Sequence, residues 1–280
     1  MLKIAMLQMT VEFHEADKNL AHAETLVKEA VTQGAQICVL PECMDLGWGT
    51  PKAAELAEPI PGKTSDALCK IAKDNHIYIV SGITERDGND IYNTALLISD
   101  EGVILGKHRK INVLTGVEDV YSVGNMLSVI PTPLGKIGID ICADNSIQSV
   151  SIGHTLARMG AQIILSPCAW AVPADRDPKK PYGMEWIMPY SHLSQTFGIP
   201  IIGVSNVGLV KDGSWAKWKA IGNSIAYDRH GNLLTMLPYG EDAECVQVLD
   251  VELGEVEKLG TALAEEIFQK TYTQPVLKTE

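Results

Sequence analysis

The chain has 280 residues, 46% hydrophobic and 21% charged, a composition ordinary for a globular protein. Its formal net charge of -12 disfavours nucleic acid and anionic membrane surfaces as partners. No apolar run approaches the roughly 20 residues of a spanning helix, and six scattered cysteines without a CxxC pair fit a reduced, cytoplasmic protein better than a disulfide scaffold.

Leu2 to Met9 reads as a first strand rather than a secretory leader. Residues 17 to 33 place Leu20, Ala23, Val27, Ala30 and Val31 on one helical face, with Asp17 at the start and Gly34 at the end. Gln36 to Leu40 is a short buried strand, completing a βαβ unit. A second helix is expected from Thr64 to Asn75. Strands follow at Ile77–Thr84 and Ile91–Ser99, joined by the turn DGND, and at Val103–Lys107. Leu127–Thr132 and Lys136–Ile141 form a hairpin through Pro133-Leu134-Gly135, and a helix is expected over Ser146–Met159. Strands at Ala161–Ser166 and Ile199–Asn206 flank a long irregular segment at about 168 to 183, read as a binding loop, and a helix over Gly183–Phe197. The last strands are Ile221–Tyr227, Asn232–Met236 and Cys245–Val251, with a helical tail starting near Glu255. Hairpins mixed with βα units predict a mixed sheet covered by helices in one domain spanning 1–280, with a tail from about 253 to 280.

Three strand ends carry chemistry. KIGIDIC places Cys142 at the end of a buried strand and ahead of a helix, whose N–H groups and dipole would favour a thiolate and hold an oxyanion. QICVLPE places Glu42 where desolvation raises a carboxyl pKa and makes it a proton shuttle. GVILGKHRK ends in Lys110. Each has a commoner reading in isolation: a core cysteine, a solvated loop acid, and a surface basic cluster of Lys107, His108, Arg109 and Lys110. None of the seven histidines stands out as a base for Cys142.

Taken in order, VLPE, the run IYNTALLISDEGVILGKHRK and GIDIC resemble the motifs of the nitrilase superfamily of carbon–nitrogen hydrolases, and GNSIAYDRHGNLL and IPIIGVSNVG resemble its later strands. The resemblance covers about residues 2 to 253. It implies an α/β (mixed α+β) chain folded as a four-layer α-β-β-α sandwich, usually assembled as a homodimer or larger homo-oligomer. It further implies Cys142 as nucleophile, Glu42 as proton shuttle, Lys110 as oxyanion stabiliser with the N–H of Ala143, and Glu118, eight residues after the lysine, as a group that orients Lys110 or the substrate. The substrate would be a small amide or N-carbamoyl compound, with no metal or organic cofactor.

The chain departs from the family pattern where Ala143 follows the nucleophile in place of an aromatic residue, where an arginine after Asp144 is missing, and where His108 replaces a tyrosine. Ala143 argues against a nitrile hydrolase and leaves room for a wide substrate. Trp170 is placed near the nucleophile, Trp215 and Trp218 in a surface loop or subunit contact, and Cys168 as structural. Asp175, Arg176, Asp177, Lys179 and Lys180 form a solvated cluster, with a carboxylate clamp by Arg176 as the alternative. The rival functions are a nitrilase, an amine-accepting acyl transferase, and a non-catalytic binding protein that keeps the fold.

Overall fold

A computed structural model describes residues 1–177, 179–180, 182–255 and 263. The elements of the first half run β1 (Leu2–Gln8), α1 (Ala16–Thr32), β2 (Ile37–Val39), α2 (Ala53–Leu56), α3 (Lys63–Asp74), β3 (Tyr78–Asp87), β4 (Asp90–Ile98) and β5 (Ile104–Arg109). Those of the second half run β6 (Val129–Thr132), β7 (Gly135–Ile139), α4 (Val150–Arg158), β8 (Ile163–Cys168), β9 (Ala171–Val172), α5 (Met184–Phe197), β10 (Ile201–Ser205), β11 (Val207–Leu209), β12 (Lys219–Ile221), β13 (Ile225–Tyr227), β14 (Leu233–Met236) and β15 (Cys245–Val251).

Two six-stranded mixed sheets result, in the orders β15-β1-β2-β3-β4-β5 and β14-β13-β10-β8-β7-β6, with a small third sheet β11-β12-β9. Parallel pairs occupy the middle of each large sheet, β1 with β2 with β3, and β7 with β8 with β10. The late strand β15 returns to pair antiparallel with β1. Period-two alternation explains the layering. Leu2, Ile4 and Met6 of β1 join Ile37, Val39, Val80 and Leu97 in the core shared with Ile139, Leu165 and Ile202 of the second sheet. The intervening Ala5 and Leu7, with Cys38, Ile79 and Leu96, face Leu20, Val27, Leu68 and Ile71 of α1 and α3. Ile152 and Leu156 of α4, with Tyr190 and Leu193 of α5, complete the apolar packing on the second sheet. The architecture is a four-layer α-β-β-α sandwich. Among the described residues, no helix is long and apolar enough to cross a membrane.

Two expectations from the sequence fail locally. The helix expected over residues 146 to 159 begins late, as α4 (Val150–Arg158) after one 3-10 turn at Ile147–Ser149, because Ser146 is extended (φ -70°, ψ 160°) and parts it from the turn Cys142–Asn145. The strand expected over 221 to 227 is split into β12 and β13 by Gly222 and Asn223, with φ of 61° and 58°. The Gln8 side chain fills the gap and binds the N–H and hydroxyl of Ser224 at 3.0 and 2.8 Å; a Cβ on Gly222 would lie 2.2 Å from Gln8. The helical tail expected near Glu255 lies outside the described residues apart from residue 263.

Leu165 is fully buried in β8, at the centre of the second sheet. Leu165→Ala is expected to lower the unfolding free energy by about 2–5 kcal/mol, read as a lower urea midpoint at unchanged m-value.

Candidate active site

The ends of β2 and β8 bring the first chemical group into place. After β2 the chain turns through Leu40 and Pro41, and the loop is laced to β3 by Leu40 N–H to Val80 O (2.8 Å), Gly82 N–H to Pro41 O (3.0 Å) and Met44 N–H to Gly82 O (2.9 Å). A Cβ on Gly82 would meet the Cα of Glu42 at 2.6 Å, so the approach of β3 to this loop requires glycine there. The Glu42 N–H donates across to Cys168 O at 3.2 Å, which ties the first sheet to the second at this point.

Lys110 follows β5, its N–H donating to Asn93 O of β4 at 2.8 Å. Its Nζ lies 2.7 Å from Glu42 Oε1 and 2.8 and 2.9 Å from the two Glu118 oxygens, and all three side chains are out of solvent. Glu118 also accepts from Trp48 Nε1 (2.6 Å), Asn93 Nδ2 (3.2 Å) and Leu114 N–H (2.8 Å), while Glu42 Oε1 accepts from Asn93 Nδ2 at 2.6 Å. Glu42 Oε2 has no partner among the described residues.

Two carboxylates thus share one ammonium. Burial pushes the Glu42 carboxyl up to about 7; Lys110 pulls it down and the charge of Glu118 pushes it up again. Burial opposes the charge on Lys110, but Glu118 and Glu42 outweigh it and hold the ammonium well above its usual range.

Cys142 opens the 3-10 turn with a left-handed φ of 46°, a conformation that costs a side-chain-bearing residue on the order of 1–3 kcal/mol. The surroundings hold it there. Cys142 N–H donates to Ser166 Oγ at 3.2 Å and Ile141 N–H to Asp144 Oδ2 at 3.2 Å. Asp144 Oδ1 accepts from the N–H groups of Ile111 (3.2 Å) and Asn112 (2.8 Å), and Oδ2 lies 2.7 Å from His108 Nε2. His108 and Asp144 therefore lock the segment carrying Lys110 onto the turn carrying Cys142, with His108 as the partner that stands by Asp144 in this chain.

The thiol expected from the sequence to be acidified by a helix N-terminus is instead pushed well above its usual range. Burial is the main cause, followed by a hydrogen bond with Cys168 and the charge of Glu42, and Lys110 opposes them. The acidifying dipole is also absent, because α4 starts only at Val150, eight residues beyond the sulfur. Cys142 rests as a thiol and needs a base.

Cys142 and Ala143 line a cavity of about 440 Å³ together with Trp48, Trp170, Tyr182, Trp186 and Trp215. Trp170 stacks on Trp186 (centroids 4.9 Å, 16°), and Trp48 meets Trp215 edge-on (5.2 Å, 66°). Trp215, expected on a surface loop, lines the cavity, and Trp218 stacks behind it at 3.9 Å. Cys168 is fully buried beside Cys142, and Glu118 lies behind the cavity wall rather than in it. Arg176 packs over the Tyr182 ring at 5.2 Å and lines a separate cavity of about 520 Å³ that contains none of Glu42, Lys110 and Cys142.

The sequence reading missed Trp48, Asn93, Tyr182 and Glu185 as members of this site. Trp48 had a legible signal, since Gly47 and Gly49 on either side of it turn the chain with φ of 88° and 72°. Asn93 lay in a motif already singled out. Tyr182 and Glu185 follow an irregular loop and carry no spacing that marks them.

A model of the family "Carbon-nitrogen hydrolase" matches residues 3–260. A "Nitrilase" of Pyrococcus abyssi is 37% identical over 258 residues, 90% of this chain and 91% of that protein. "Omega-amidase NIT2" of Danio rerio is 38% identical over 178 residues, 60% of this chain and 63% of that protein, so the chain spans less than two thirds of that relative's length. Among solved structures, an amidase from Nesterenkonia sp. AN1 carrying an acrylamide adduct at its active-site cysteine superposes with a TM-score of 0.77 at 20% identity, covering 90% of this chain and 94% of that one. A carbon–nitrogen hydrolase from Helicobacter pylori G27 gives 0.78 at 20% identity, covering 88% and 87%. At these identities the structural likeness speaks for the fold.

If Glu42 is the base for Cys142, alkylation of that thiol by iodoacetamide should accelerate as pH rises through about 7, where the buried carboxyl loses its proton. In Glu42→Gln that midpoint should disappear. A midpoint in the ordinary thiol range, unmoved by Glu42→Gln, would separate the two groups.

Proposed function

Because the chain belongs to the carbon–nitrogen hydrolase family, we propose that it hydrolyses the C–N bond of a small amide or N-carbamoyl compound through a thioester on Cys142. The observation that carries this reading is the buried Lys110 ammonium held between Glu42 and Glu118, beside a thiol that opens onto an apolar cavity.

Glu42 takes the Cys142 proton through Oε2, the oxygen without a partner. The sulfur attacks the carbonyl carbon, and the oxyanion forms against Lys110 Nζ and the Ala143 N–H. Glu42 passes its proton to the nitrogen, which leaves as ammonia or an amine, and the thioester remains. Water then gives a proton to Glu42 and attacks the thioester. Collapse of the second oxyanion releases the acid, and the proton returns to Cys142. Glu118 accepts from Lys110 with both oxygens and holds its Nζ in place. Trp170 and Ala143 shape the acyl pocket.

A nitrile hydrolase reading is favoured by the name of the Pyrococcus abyssi relative. Ala143 beside the nucleophile favours the amide reading. Self-association is supported by Met159, Met184 and Met188, exposed on or beside α4 and α5. A reducing cytoplasmic setting is supported by six free cysteines.

Ammonia release from a panel of amides, N-carbamoyl compounds and nitriles tests the reading. Cys142→Ala and Glu42→Gln are expected to lose at least about 10³-fold in kcat, and wild-type kcat/KM should fall as pH drops below about 7. Turnover that survives Cys142→Ala would overturn it. Release from nitriles alone would select the nitrilase reading, and faster product formation with added amine would select the acyl transferase.

A further inference from the structure

We propose that the cavity over Cys142 selects substrates whose far end is a cation, a primary or quaternary ammonium or a guanidinium, and that Glu185 is the residue setting this preference. The inference rests on the hydrolase reading above and names its substrate class.

The charge inventory of the cavity carries the argument. Among the described residues lining it there is no lysine or arginine, and Glu185 is the one carboxylate. Glu185 sits exposed in the first turn of α5, next to Trp186 and three residues beyond Tyr182, and its charge acts on the Tyr182 hydroxyl. No ion pair of Glu185 is found among the described residues. Lys110 lies behind the cavity wall with its positive charge already matched by Glu118 and Glu42, so an incoming anion finds no spare cation there. Arg176 packs over the Tyr182 ring and lines the other cavity.

The rest of the wall suits a cation. Trp170 with Trp186, and Trp48 with Trp215, line the space as two aromatic pairs. A cation within about 6 Å of an indole face is attracted by the ring quadrupole, and the attraction grows as water is excluded. A carboxylate in the same place would face those rings and Glu185 with nothing to neutralise it. An amide with its carbonyl at Cys142 and an ammonium a few methylenes away would meet both requirements.

Two readouts test this independently. Four of the five tryptophans line the cavity, so intrinsic fluorescence of the full chain reports occupancy by probes that contain no amide. Butylammonium is expected to bind at least about tenfold more tightly than butyrate, with butanol between them. Glu185→Gln should weaken butylammonium severalfold and leave butanol unchanged, and Glu185→Lys should reverse the order of cation and anion. In turnover, 4-aminobutyramide should exceed butyramide, and butyramide should exceed succinamate, the difference lying in KM. Butyrate binding as tightly as butylammonium, or a Glu185→Gln effect equal for cation and neutral probe, would overturn the proposal. Absence of Cys142-dependent ammonia release from all three amides would instead overturn the hydrolase reading, and the fluorescence result is unaffected by it.

Discussion

One buried ammonium governs the site. Lys110 is shut off from solvent, and its charge is tolerable because Glu118 grips it with both oxygens and Glu42 with one. A paired buried charge of this kind is not a cheap source of stability, since desolvation offsets much of the attraction. Its value lies in position. The same ammonium that makes Glu118 and Glu42 tolerable fixes where each carboxylate points, and it leaves Glu42 Oε2 without a partner among the described residues.

The fold supplies that position from several directions. Glu42 comes from the end of β2, Lys110 from the end of β5, Cys142 from the segment after β7, and Ser166 and Cys168 from β8. The Gly82 contact, the Glu42 N–H bond to Cys168 O and the His108–Asp144 pair join these segments. Only the last of these involves two ionisable side chains. The others are backbone packing, which makes the geometry rigid without adding charge to an already crowded centre.

Most of the architecture was legible because strands in this chain alternate cleanly or run fully apolar, and β1, β2, β3 and β4 lie close to where the pattern puts them. What was not legible has specific causes. The helix after Cys142 breaks at Ser146 for reasons of turn geometry that no periodicity encodes, and the expected acidification of the thiol is overridden by its burial. The split at Gly222 depends on Gln8, more than two hundred residues away in sequence. Glu42, Lys110 and Cys142 could be picked out by their place at strand ends, while Trp215 could not be told from a surface tryptophan because its partner Trp48 is distant in the chain. Long-range contacts of this kind decide which aromatic residues meet, and local sequence is silent on them.

The bond from Glu42 N–H to the carbonyl of Cys168 bridges the two leaves of the sandwich where Glu42 and Cys142 act on one another. The thiol follows a strand of one leaf and Glu42 a strand of the other. Burial shifts both groups upward, and a chain with only one leaf assembled buries neither of them in this way. The shifted pair therefore exists only where both leaves are packed together, so its titration is a gauge of the assembled sandwich.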